Sequence, residues 1–190
     1  MLTGNRLVTV TGAGGIGKTR ITLAVGDRLG ADTGALVYLV ELAPVTHGSL
    51  IAGAAARALR IQESPNRPPL DALVAHLRQK KLVLVLDNCE HLIEDAALLA
   101  DAVLRECPEV RILATSREPL RIGGERIYRL PSLRTPAPAD AGELDAAAAA
   151  GFAAIGLFVE RAQAVDRDFA LDDSNAPIVA EICRLRFHAR

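Results

Sequence analysis

Gly12-Ala13-Gly14-Gly15-Ile16-Gly17-Lys18-Thr19 is the stretch on which the fold turns. A short apolar run, Leu7-Val8-Thr9-Val10-Thr11, precedes it, and an amphipathic segment begins near Lys18. Strand, then G-x-x-x-x-G-K-[ST], then helix is the context in which this pattern cradles phosphate. Glycines accept positive φ and let backbone N–H groups approach phosphate oxygens without interference from a Cβ. The first N–H groups of the following helix add partial positive charge aimed at the same anion. All eight residues, Gly12 to Thr19, are therefore candidate nucleotide-binding residues. Lys18 supplies a compact cation for the β- and γ-phosphates, and the Thr19 hydroxyl can join the shell of a Mg²⁺ ion. The bland alternative is a Gly-rich turn between strand and helix, which the flanks disfavour.

The rest of the chain alternates strands and helices. Lys18 to Leu29 is predicted as a helix with Ile21, Ala24, Val25 and Leu29 on its buried face. Ala35 to Leu42 reads as a strand buried on both faces of a parallel sheet. Ser49 to Leu59 and Leu70 to Gln79 read as helices separated by a break at Pro65, Pro68 and Pro69. Leu82 to Leu86 is the most apolar strand and ends at Asp87-Asn88; a long helix, His91 to Cys107, follows. Arg111 to Thr115 is a fourth strand, ending in Ser116-Arg117, and Ile127 to Leu130 a short fifth. This alternation argues for an α/β protein of three layers, a parallel five-stranded sheet covered on both sides. Ligands of such sheets bind beyond the carboxyl ends of the strands. Gly12, Asp87 and Arg117 all lie just past such ends.

Three domain regions are expected: a nucleotide-binding domain over 1–131, a linker over 132–151 and a partial helical lid over 152–190. The linker carries Pro136, Pro138 and an Ala run that is equally compatible with a helix. In the lid, Ile155, Phe158, Val159, Ala162 and Val165 mark one helix; Ile178, Val179, Ile182 and Cys183 mark a second. Two helices are too few for a core of their own, so they are expected to pack on the sheet domain or on a part outside this chain.

Asp87, at the tip of an apolar strand downstream of the phosphate loop, suits the Walker B task of holding the Mg²⁺ shell together with Thr19. The next residue is Asn88, where many such ATPases place a glutamate to deprotonate water. An amide takes no proton, so turnover is expected to be slow or negligible. Glu90 either substitutes for that base or is an ordinary solvated acid; both readings stand. Arg117 either senses the γ-phosphate through paired hydrogen bonds or is one surface arginine among many. The candidate catalytic residues are thus Lys18, Asp87, Glu90 and Arg117. His91, beside Glu90, is expected to be structural, and His47, His76 and His188 show no zinc spacing with Cys89, Cys107 and Cys183. A net charge of −1 implies no pull toward nucleic acid or an anionic membrane. The odd cysteine count, the lack of a spanning apolar run and the lack of a signal-peptide layout point to the cytoplasm.

Arg6 to Arg20, Leu84-Val-Leu-Asp-Asn-Cys-Glu-His-Leu92 and Ile112-Leu-Ala-Thr-Ser-Arg-Glu-Pro-Leu120 resemble the NB-ARC-type ATPase core of STAND-class regulators, nearest to bacterial transcriptional regulators of the LuxR and SARP types. Glu41 to Val45, Gly124 to Ile127 and Leu157 to Ala162 extend the resemblance over nearly the whole chain. The resemblance implies a nucleotide switch in which ADP holds a closed monomer and ATP, with Mg²⁺, favours an open form that self-associates. It also implies contact with regulatory domains, and insertion of the Arg111–Thr115 strand between the Walker A and Walker B strands. The family's hhGRE-like segment before the first strand and its Gly-Leu-Pro-Leu motif are not found here. Truncation at both ends and weak adenine selectivity are expected on that ground. The alternatives are an active P-loop ATPase or small kinase, for which no Arg-rich lid is legible, and a non-functional remnant.

Overall fold

Every strand of the chain's sheet runs parallel, which is what alternating strands and crossover helices dictate. The computed structural model describes residues 4–62, 66–137 and 144–187. Pro65, Pro138 and His188 lie outside the described residues. Contacts divide the chain into two units, Met1–Leu130 and Pro131–Arg190.

The first unit contains, in order, β1 (Leu7–Thr11), α1 (Lys18–Thr33), β2 (Leu36–Glu41), α2 (Ile51–Ala58), α3 (Pro69–Leu77), β3 (Leu82–Asp87), α4 (Ile93–Glu106), β4 (Val110–Ser116) and β5 (Glu125–Arg129). The five strands lie in the order β2-β3-β4-β1-β5. β4 thus sits between β1 and β3, as the resemblance implied. Leu7 is level with Ile112 and Leu84 with Ile112, so one register runs across the three central strands. The two faces of β3 divide by parity. Leu82, Leu84 and Leu86 join the core under α2, α3 and α4, while Val83 and Val85 join Val8, Leu29 and Leu113 under α1. That division makes the three layers, and the double burial explains why β3 reads as an unbroken apolar run.

Two expectations are corrected here. β2 is not buried on both faces: it is an edge strand, Leu36 is 64% exposed, and of its six residues only Val40 is buried. The buried residues of α1 are Lys18, Thr22, Gly26 and Leu29, with Val25 partly buried against the same core, whereas the expected Ile21 and Ala24 are exposed. The reason is close approach. A Cβ on Gly26 would stand 3.2 Å from Val37 Cγ1 and 3.6 Å from Val85 Cγ2, so the helix rests on its smallest residue. The long helix expected from His91 is present as the unbroken α4, beginning at Ile93 after a 3-10 turn at Cys89–His91.

The second unit holds α5 (Ala146–Ala150), α6 (Ala153–Val165) and α7 (Ala176–Phe187). The Ala run is therefore helical, capped by Asp145, whose Oδ1 accepts from Ala148 N at 2.7 Å. The expectation that this region lacks a core of its own is corrected. Ala149, Ala154, Ile155, Ala176, Val179, Ala180 and Cys183 form one, ringed by Leu133, Phe152, Phe158, Phe169 and Leu171. Small residues set the contact, so the larger Val165, Ile178 and Ile182 are left 92%, 62% and 43% exposed.

Candidate functional site

β1 ends at Thr11, and the chain turns through Gly12 to Gly17 before α1 starts at Lys18. Gly17 sits at the N-cap with φ 95°, a conformation that costs a side-chain-bearing residue energy, and no side chain caps the helix. The first turn of α1 is thereby kept for an external anion. At Gly12, φ is 154° and a Cβ would collide with the Ile16 side chain, 3.3 Å from Leu130 O. Lys18 is only 9% exposed and folds back over the loop, its Nζ donating to Gly12 O at 3.0 Å and Ala13 O at 3.1 Å. An ammonium has three donors, so one is left for a ligand.

β3 delivers Asp87 beside this loop. Thr19 Oγ1 donates to Asp87 Oδ1 at 2.7 Å, joining the start of α1 to the tip of β3. Thr115 Oγ1, from the tip of β4, donates to the same oxygen at 2.6 Å and accepts from Asn88 N at 2.9 Å. Asn88 is left-handed, φ 66°, which asparagine tolerates better than most residues. That kink turns the chain into the Cys89–His91 turn and carries Glu90 toward β4. Arg117 Nε donates to Glu90 Oε1 at 3.3 Å, while Glu90 Oε2 is buried with no partner among the described residues. The Arg117 guanidinium also borders the loop, its Nη2 standing 3.8 Å from where a Cβ of Gly14 would be.

Lys18, Thr19, Asp87, Glu90 and Arg117 are thus gathered at the carboxyl end of the sheet. His91 is bound into the scaffold, with Nε2 2.9 Å from Val45 O. Cys89 is fully buried; burial first, then the charges of Asp87 and Glu90, push its thiol up to about 12, so it stays neutral and fills space. Sequence reasoning missed Thr115. Its signal was a hydroxyl next to the end of an apolar strand, but its partner follows only from β3 and β4 being neighbours. An apolar pocket of about 210 Å³ between α1 and the β1–β5 side, lined by Val8, Val10, Thr22, Leu113 and Tyr128 among others, holds none of the charged groups and does not suit an anion. Among the described residues no cluster of three His, Cys, Asp or Glu is placed to hold a metal. The hydroxyl-plus-carboxylate pair of Thr19 and Asp87 does fit Mg²⁺, which keeps most of its waters and takes few protein ligands.

The sequence profile of the AAA domain matches residues 2–122. The chain belongs to the AAA domain family. For an AAA domain with an intact phosphate loop, nucleotide binding is implied, typically with Mg²⁺. A Mycobacterium tuberculosis protein named as a candidate HTH-type transcriptional regulator is 38% identical over 97% of this chain and 19% of its own length. An uncharacterized protein of the same organism is 35% identical over 97% of this chain and 43% of its own. This AAA chain therefore spans less than half the length of the curated relatives it matches. Among solved structures, Cdc6p from Pyrobaculum aerophilum aligns with a TM-score of 0.53 at 16% identity, over 85% of this chain and 45% of that one. The Aeropyrum pernix ORC2 protein aligns with a TM-score of 0.50 at 15% identity, over 93% and 61%. At such identities the likeness concerns the fold alone. Among the described residues no helix is long and apolar enough to cross a membrane.

Proposed function

We propose that this AAA domain is the Mg²⁺–ATP/ADP-binding switch module of a STAND-type transcriptional regulator, with slow or negligible hydrolysis. The observation that carries the reading is the bond from Thr19 Oγ1 to Asp87 Oδ1 beside the buried Lys18 ammonium, which links a phosphate loop to a Walker B carboxylate. The named relatives and the resemblance of the Asp87–His91 string support the regulatory setting. Residues 1–131 bind the nucleotide, the connection expected over 132–151 runs into the helical unit through its Ala run, and 152–190 contribute part of a lid.

In this mechanism the Gly14 to Lys18 backbone and the Lys18 ammonium hold the phosphates. Thr19 and Asp87 would hold Mg²⁺, which would supply positive charge against the phosphates. Asn88 presents an amide where a base would be needed, so the triphosphate state persists. Arg117, bordering Gly14, distinguishes a third phosphate from its absence. The state is then read by self-association or by contact with neighbouring regulatory domains, not by direct contact of this segment with DNA. An active ATPase is the second reading, and the part-buried Glu90 is what favours it, as a base.

Calorimetry with Mg²⁺–ATP and Mg²⁺–ADP tests the proposal. Both bind the wild type, and Lys18→Ala loses most of the ATP affinity, because that ammonium is the side-chain cation seated in the loop. Equal ATP binding by the two proteins would remove the site.

A further inference from the structure

We infer that Thr115 is a positioning residue of the phosphate site: its hydroxyl locks the Asp87 carboxylate and the peptide that follows it, so that a cation's hydration shell meets a carboxylate already oriented. The inference rests on the nucleotide-binding reading above.

Thr115 is 1% exposed on β4, the strand lying between those that carry the phosphate loop and Asp87. A hydroxyl has one proton to give. Asn88 N–H can only donate, and a carboxylate oxygen can only accept. The Thr115 proton therefore points to Asp87 Oδ1, at 2.6 Å, and a lone pair to Asn88 N, at 2.9 Å. No second arrangement satisfies both contacts. The two partners are consecutive residues, so one hydroxyl fixes both the carboxylate plane and the left-handed turn at Asn88.

Thr19 adds a second donor to the same oxygen from the first turn of α1, at 2.7 Å. With Oδ1 held by hydroxyls of α1 and β4, rotation of the carboxylate would break both bonds. Oδ2 is then the oxygen directed to the water shell of the cation. Outer partners of this kind commonly alter metal affinity without touching the metal. A buried threonine in this sheet does not need such partners: Thr9, 0% exposed on β1, has a hydroxyl with none among the described residues. The double bonding of Thr115 is a feature of the site's edge, not of buried threonines in general.

The test compares wild type, Thr115→Val and Thr115→Ser. The affinity of the fluorescent analogue mant-ATP is measured in EDTA and across a Mg²⁺ titration, with circular dichroism as the folding control. The wild type binds more tightly as Mg²⁺ rises. Thr115→Val, of equal shape but no hydroxyl, keeps its affinity in EDTA and loses about tenfold of the Mg²⁺-dependent gain, the lower end for outer-shell partners. Thr115→Ser restores that gain. Should Thr115→Val fail to fold, Thr115→Cys, with its weak S–H donor, carries the same comparison. A Mg²⁺ dependence unchanged in the folded variant overturns the inference, as does an equal loss with and without Mg²⁺, which would mark a structural role. Absence of mant-ATP binding by the wild type overturns the nucleotide reading itself, and the inference with it.

Discussion

Glu90→Gln should tighten ATP binding about fivefold while changing ADP affinity less. In the structure Arg117 Nε donates to Glu90 Oε1 at 3.3 Å, and the two side chains are 69% and 17% exposed. A terminal phosphate arriving near Gly14 draws the guanidinium away and leaves the Glu90 carboxylate without its counter-ion. At 3.3 Å and an effective dielectric of 20, Coulomb's law gives about 5 kcal/mol for the pair, an upper bound. Exposed ion pairs measure about 0.2–1 kcal/mol, and the exposure of Arg117 places this pair toward that range. With Glu90 mostly covered, about 1 kcal/mol is reasonable, which is roughly fivefold in affinity. Glutamine keeps the shape and removes the charge. The assay is calorimetric titration of ATP and ADP into wild type, Glu90→Gln, Arg117→Ala and the double variant, read as a cycle. The gain should vanish in the Arg117→Ala background. A gain of the same size there, or weaker ATP binding by Glu90→Gln, would refute the competition. Unchanged affinity with hydrolysis abolished would make Glu90 the base instead.

Hydrolysis by the wild type should not exceed about 10⁻² s⁻¹, the range of unassisted P-loop proteins. Many turnovers per second, lost in Asp87→Ala, would sink the switch reading. Arg6 donates to Leu104 O at 2.9 Å, Val110 O at 3.2 Å and Cys107 O, closing the C-terminus of α4 onto β4. Arg6→Ala should cost about 2–3 kcal/mol in urea unfolding, because charged donors are lost from carbonyls at a helix end. Stability unchanged to within 0.5 kcal/mol would contradict this (about the scatter of surface substitutions). Cys89 should resist iodoacetamide at pH 8 in the native protein, since burial pushes its thiol up to about 12. The folded thiol lies above its usual 9.0, so its contribution to stability is complete below pH 9 and is lost as pH rises toward 12. A Cys89→Ala variant with an identical decline in unfolding free energy over that window would assign the effect elsewhere.

The phosphate loop and the Asp87 tip were legible because each is a local pattern, a run of residue types that does its chemistry through neighbours in sequence. The strand order was not local. It came from resemblance, and with it came everything that depends on β3 lying against β4: Thr115 on Asp87, and Arg117 on Glu90. Apolar periodicity located the helices and misjudged their inner faces where small residues set the approach, at Gly26 of α1 and Ala176 and Ala180 of α7. It also misread β2, because an apolar run states that both faces of a strand can be covered, not whether the strand lies inside the sheet or at its edge. The Ala run at 146–150 carried no decisive signal until the Asp145 cap was seen.

The placement of β4 has a consequence for how this protein comes off the ribosome. β1 precedes β4 and β5 by about 100 residues, yet these are its hydrogen-bonding neighbours, pairing Leu7 with Ile112 and with Glu125. At about 5–20 residues per second, β1 waits roughly 5–20 s for its first partner. β2 and β3 can zip together in the meantime, since they are hydrogen-bonded to each other. Until residue 116 emerges, the nascent chain carries an apolar strand with both edges open, and sheets built from such distant pairings close slowly. Nucleotide cannot speed that closure, because Asp87 and the phosphate loop meet only when β4 has entered between their strands.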